Sequence, residues 1–269
     1  MIRLSDSPRR ATLILASALT LLTGCGQFSQ GRTKEHASAR ILNTGTAAKV
    51  SKRQAADVQI ALARTLEESQ QLAEAEAAYR DAIKNDPRRA DAHARLAVLF
   101  DRRGDFKAAA TQFAEAIRLD PRNPDYPCDR GYSLYVQGRW AEAEASLRQA
   151  IALDARHPRS HNNLGLVLAR QAHNGEALAE FQRAGCDPSD ARSNLGLILA
   201  EEGRFADSKA AYAKALELKP SSAVALEGLH AATAASTRDA ADTKALARST
   251  PKSSRKDDSL LRTSVEIPR

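Results

Sequence analysis

Residues 90–123 read ADAHARLAVLFDRRGDFKAAATQFAEAIRLDPRN, and this stretch decides the fold. It divides at Gly104 into two short helices rich in Ala and Leu, and Pro121 closes the second. Leu96, Ala97, Phe100, Ala109, Phe113 and Ala116 interleave large and small side chains. Two helices can cross closely only where small residues meet, while Leu, Phe and Tyr fill the gaps beside the crossing. The stretch recurs along the chain. Pro87, Pro121 and Ala155 lie one period of 34 apart, and Pro220 closes a last unit after a deletion of three residues. One such unit cannot bury its apolar face, so at least about three must stack.

The other units keep the register. The first carries Leu62, Ala63, Leu66, Ala75, Tyr79, Ala82 and Pro87, and the third Gly131, Leu134, Gly138, Ala143, Leu147 and Ala150. The fourth has Leu164, Gly165, Leu168, Ala177, Phe181 and Ala184, and the fifth Leu195, Gly196, Leu199, Gly203, Ser208, Tyr212, Ala215 and Pro220. A 34-residue unit of two helices with these positions resembles the tetratricopeptide repeat. The resemblance implies an all-α fold, a right-handed superhelical solenoid of about five helix pairs spanning 56–222. The units are 56–89, 90–123, 124–157, 158–188 and 189–222. Residues 223–235, with Leu226 and Leu229, read as a capping helix, and 236–269, rich in Ser, Thr and charge, as disordered. The third unit departs from the pattern: Pro127 and Arg130 replace the large apolar residues of the fourth and seventh positions, so its first helix is expected to start late or sit differently.

Composition agrees. The chain is 43% hydrophobic but only 4% aromatic, which suits thin helix pairs more than one large core. Runs alternating Val, Ile and Thr with polar residues, the mark of strands, are missing.

At the amino terminus, Arg3, Arg9 and Arg10 precede an apolar run from Ala11 to Leu22, too short to span a bilayer. Residues 1–24 read as a secretory signal. Leu22-Thr23-Gly24-Cys25 resembles the lipobox of bacterial lipoproteins, which implies a lipidated Cys25 as the first mature residue and a stable anchor of two or three acyl chains. Gly26 rather than Asp follows, which by resemblance to enteric lipoproteins implies an outer-membrane location with the body in the periplasm. Residues 25–55 then form a flexible tether, basic through Arg32, Lys34, Arg40, Lys49, Lys52 and Arg53, able either to lie on anionic headgroups or to remain solvated.

The net charge of +7 resides in the flanks, since the repeats hold 23 Lys and Arg against 25 Asp and Glu. That distribution is the reverse of a nucleic-acid binder's. No nucleophile motif, phosphate loop or CxxC pair is present, and the chain reads as neither an enzyme nor a cofactor carrier. His93 and His161 occupy the same core-edge position of their units, which accounts for them without a metal. Glu74, Glu76, Glu142 and Glu144 read as a solvated face. Cys128 and Cys186 fall on helices too far apart to pair and are expected as free thiols.

The resemblance places a groove on the first helices of the units. It would present Asp125, Asp129, Tyr132 and Tyr135 from unit three, Arg159, Asn162, Asn163 and Arg170 from unit four, and Asp190, Ser193 and Asn194 from unit five. Asn163 and Asn194 match the family position that often bonds a bound peptide's backbone, and Tyr132 and Tyr135 are candidate hot spots. No Lys occurs from Phe113 to Ala206, so the Lys-and-Asn clamp of some members is not reproduced. The expected partners are proteins or extended peptide segments, and the membrane through the anchor, with neither nucleic acid nor a small-molecule substrate. The expected function is a membrane-anchored scaffold assisting an envelope machine such as a tight-adherence pilus. An adaptor for peptidoglycan-processing enzymes or envelope proteases is the alternative, and a cytoplasmic scaffold the remaining rival.

Overall fold

The computed structural model describes residues 50–249, so Leu22 to Cys25 and the expected signal lie outside the described residues. Among the described residues there are eleven helices and no strand. They pair as α1 (Lys52–Glu68) with α2 (Leu72–Asn85), α3 (Ala90–Arg102) with α4 (Phe106–Leu119), and α5 (Asp125–Val136) with α6 (Trp140–Leu153). The fourth pair is α7 (Pro158–Arg170) with α8 (Asn174–Arg183), the fifth α9 (Pro188–Glu201) with α10 (Phe205–Leu218), and α11 (Ala223–Ser249) follows. Each helix packs chiefly on its chain neighbours, and the first helices of successive pairs also touch, so they line one common face.

Sequence fixes the close approach inside each pair. The eighth position carries Ala63, Ala97, Gly131, Gly165 and Gly196, and the twenty-fourth Tyr79, Phe113, Leu147, Phe181 and Tyr212. A β-carbon placed on Gly165 would lie 2.6 Å from Phe181 Cε1, and one on Gly131 2.6 Å from Leu147 Cγ. Tyr212 is wedged between Gly196 and Gly228 of α11, and burial pushes its hydroxyl pKa up to about 12.

The turn inside each pair is equally regular. At the fifteenth position Gln70, Gly104, Gly138, Ala172 and Gly203 all have φ between 60° and 82°. The next residue's N–H then reaches back to the carbonyl of the last helical turn, as His173 does to Leu168 at 2.8 Å and Asp105 to Phe100 at 2.9 Å. This is the Schellman closure, in which glycine is at home. Ala172 bears the left-handed strain of about 1–2 kcal/mol. Ala172→Gly is therefore expected to raise the stability by roughly 0.5–1 kcal/mol, the relieved strain less the extra entropy glycine loses on folding. A denaturant midpoint at or below wild type would refute it.

Several expectations change. The first helix begins at Lys52, with Ser51 and Gln54 forming a capping box, ahead of residue 56. Helix α11 runs to Ser249, well past residue 235 and into the segment expected to be unstructured; Ala225 and Ala232 bury against Tyr212 and Ala215. The deletion in unit four falls at the end of its second helix: α8 has 10 residues where α6 and α10 have 14, and Gly185 at φ 96° turns the chain out. Helix α5 starts only one residue later in its unit than α3 and α7 do in theirs, because Pro127 falls in its first turn, where a proline lacks no bonded N–H. Glu76 is not solvated: it is buried and held by Arg80 at 2.6 Å and Arg103 at 2.9 Å.

Cys128 is a buried free thiol. Cys186 is not free, so the expectation of two free thiols holds at Cys128 alone. The two are not bonded to each other.

Two of the four apolar clusters among the described residues are large. One cluster joins Ala56 through Phe113 in units one and two, and another joins Cys128 through Ala211 in units three to five. Between them lies a small group of Ala90, Ala94, Ala116 and Tyr126, beside the hydrogen bond from Ser133 to Asp101 at 2.8 Å.

Candidate partner-binding groove

The helical periodicity that buries one face of each first helix turns its second, sixth, ninth and thirteenth positions outward. Helices α5, α7 and α9 carry the expected groove residues, and the structure joins six of them into two networks. The rings of Tyr132 and Tyr135 stack at 6.1 Å between centroids with 29° between planes. The guanidinium of Arg170 sits 5.9 Å over the Tyr135 ring, and its Nε donates to the Tyr135 hydroxyl at 3.3 Å. Arg170 also pairs with Glu201 of unit five. Both are half-buried, and burial with the nearby Tyr135 and Glu201 determines the guanidinium's pKa, which is raised overall. Tyr132 remains 42% exposed, an aromatic face held rigid from below. Rigid amphipathic rings lose little entropy on binding, which is why they act as anchors.

A second network opens the same face. Arg159 Nη1 donates to Asp125 Oδ1 at 2.9 Å, and Nη2 to Asp129. His157 Nε2 approaches Asp125 at 3.2 Å while Nδ1 meets Ser160 at 2.6 Å. Burial pushes the Asp129 carboxyl up, against the pull of Arg159. Pairs this exposed contribute little to stability, typically 0–1 kcal/mol, so their effect is to fix side-chain positions.

The asparagines behave differently from the tyrosines. Asn163 Nδ2 faces Cys128 Sγ at 3.6 Å, and Asn194 Nδ2 faces Cys186 Sγ at 3.8 Å, so each amide engages its neighbour. Asn162 and Asp190 are half-buried on the same face, where burial raises the Asp190 carboxyl. Ser193 is buried, with its hydroxyl donating to the Ser189 carbonyl at 3.1 Å, and presents no polar group to the groove.

Sequence reasoning missed Glu201 and the whole amino-terminal end of this face. Arg95 pairs with Glu67, Arg89 with Asp57, and Arg64 with Asp91 at 3.5 Å, so the network of ion pairs continues through units one and two. Arg64, Glu67, Gln70, Arg95 and Arg102 line a cleft of about 470 Å³ there. The signal was present: Asp57, Asp91 and Asp125 hold the second position of three successive units, and Arg159 that of the fourth.

His161 bridges Glu180 Oε2 at 2.6 Å and the Ala155 carbonyl at 3.0 Å, and His93 bridges Gln112 and the Pro87 carbonyl likewise. Among the described residues no group of three or more His, Cys, Asp or Glu is placed to hold a metal.

Residues 60–124 and 128–191 match a tetratricopeptide-repeat family model and residues 189–222 a second one, together more than half the chain. The chain belongs to the tetratricopeptide repeat family. Members bind other proteins or peptides, and this tetratricopeptide chain is an interaction scaffold of that kind. Among solved structures, PilW, a widely conserved type IV pilus biogenesis factor, is 22% identical with a TM-score of 0.54, covering 71% of this chain and 94% of its own. Pseudomonas aeruginosa PilF is 24% identical at TM-score 0.52, covering 74% and 95%. A tetratricopeptide repeat protein from Parabacteroides merdae is 17% identical at 0.53, covering 74% and 81%. At these identities the likeness is one of fold. No curated protein matches the sequence.

Proposed function

We propose that this tetratricopeptide chain is a bacterial envelope lipoprotein that holds an extended segment of a partner protein along the face of α5, α7 and α9, in the service of pilus assembly. The Tyr132–Tyr135–Arg170–Glu201 network carries the reading: an exposed aromatic ring, fixed by a stacked ring and an ion pair, is a preformed anchor point that a flexible segment can use without ordering the scaffold first. The lipobox at Leu22 to Cys25 supports anchoring, and Gly26 an outer-membrane location. PilF and PilW support the pilus reading, because nearly the whole of each is matched by this chain's repeats. No helix among the described residues is long and apolar enough to cross a membrane, so attachment rests on the acyl chains.

Two measurements test this. Radiolabelled palmitate is expected in the wild-type protein and not in Cys25→Ala; label retained in the variant removes the anchor. Tagged, acylated protein purified from solubilised envelope is expected to bring down pilus components that Tyr132→Ala loses. Cell-wall enzymes lost in the same way would favour an adaptor instead.

A further inference from the structure

The third unit breaks the repeat at its seventh position. Units two, four and five carry Leu96, Leu164 and Leu195 there, all buried; the third carries Arg130, on the side of α5 turned away from Tyr132 and Tyr135. Its Nε donates to Ser146 Oγ at 2.9 Å and its Nη2 to Gln149 Oε1 at 3.0 Å. Ser146 Oγ donates onward to the Pro127 carbonyl at 2.8 Å. A guanidinium offers five N–H donors, so the others meet no protein acceptor among the described residues. Half-buried Arg95 and Arg170 each face a carboxylate that offsets their burial. Arg130 does not: burial alone acts on it and lowers its pKa. A half-buried guanidinium with spare donors and no carboxylate beside it is open to an anion.

The space before it is a cleft of about 440 Å³ between α4, α5 and α6. Leu134, Ala110 and Ala145 line it with apolar groups over the buried Phe113 ring, and Gln149 stands on its wall, while the Gln137 amide is bonded to Ser133 at 3.0–3.1 Å. Its other charged residues, Arg139 and Glu142, are engaged with each other at 2.7–2.8 Å. At about 30 Å³ per water the volume far exceeds a bare inorganic anion and suits a side chain with part of its backbone.

We propose that this cleft is a second docking site, separate from the tyrosine face, that receives an acidic side chain of a partner protein whose neighbouring residues are apolar. The carboxylate meets the spare donors of Arg130, the flanking apolar groups cover Leu134, Ala110 and Ala145, and the Gln149 amide N–H meets the segment's backbone.

The test titrates acetyl-Leu-Glu-Leu-amide into the isotope-labelled full chain and follows the α5 and α6 amide signals and the Nε–Hε signal of Arg130 by NMR, up to about 10 mM. A saturable shift is expected, at least about tenfold weaker for acetyl-Leu-Gln-Leu-amide. Arg130→Leu, which restores the residue the other units carry, is expected to melt at or above wild type and to abolish the shift, and Arg130→Gln to weaken it with the cleft kept open. Tyr132→Ala is expected to leave it unchanged. Equal response to the Glu and Gln peptides, or binding that survives Arg130→Leu, overturns the proposal. Acetate matching the Glu peptide would make this a bare anion site, and N-acetyl-leucine binding more tightly would make it a site for a chain end; either result also overturns it.

Discussion

Phe181→Ala is expected to destabilise the protein by about 3–5 kcal/mol, the range for truncating a buried phenylalanine. Phe181 is fully buried and packs directly on Gly165, with no β-carbon between ring and helix. Removing the ring leaves α7 without the surface that sets its distance from α8, and neither helix can close the gap without moving the pairs on both sides. Neighbour-only contacts localise the damage. Hydrogen exchange should quicken in α7 and α8 while α1 and α2 keep their protection. A melt within about 1 kcal/mol of wild type would mean that unit four is not packed in this way.

Tyr132→Ala is expected to weaken capture of the partner segment by roughly thirtyfold, about 2 kcal/mol, with the melt unchanged. The ring is exposed and stacked on Tyr135, so its loss removes a prepared contact and opens no cavity. Asn163→Ala should cost less, since that amide already faces Cys128 Sγ. Calorimetric titration of the partner segment into each variant decides between them. A larger loss at Asn163 would restore the family's backbone-bonding asparagine as the main anchor, and no loss at either would move the binding site off this face.

That contrast marks what could be read from the sequence. Helix pairing, register, and the match of Gly165 to Phe181 were legible because a fixed spacing of small and large residues has one close-packed solution. The two tyrosines were legible for the same reason, since register assigns them to the outward face. The engagement of Asn163 with Cys128 was not, because it depends on how far one first helix sits from the next. Glu201 was missed because its partner, Arg170, lies 31 residues away and on another unit. Positive φ at Gln70 and Ala172 was hidden by residue types that rarely adopt it. The length of α11 was misjudged from polar composition, although Ala225 and Ala232 supply the buried face that supports its start. Arg130 was visible as an exception, but the missing carboxylate beside it is a fact of three dimensions.

The seam between the two apolar clusters bears on cooperativity. In a linear array each interface sets how strongly one unit's folding depends on the next, and across this one a small group of Ala90, Ala94, Ala116 and Tyr126 with the Ser133–Asp101 hydrogen bond stands in place of the ring packing found within each large cluster. Units one and two are therefore expected to lose order separately from units three to five. A partner lying across α3 and α5 would join the two groups, and its binding is expected to merge their unfolding into one transition.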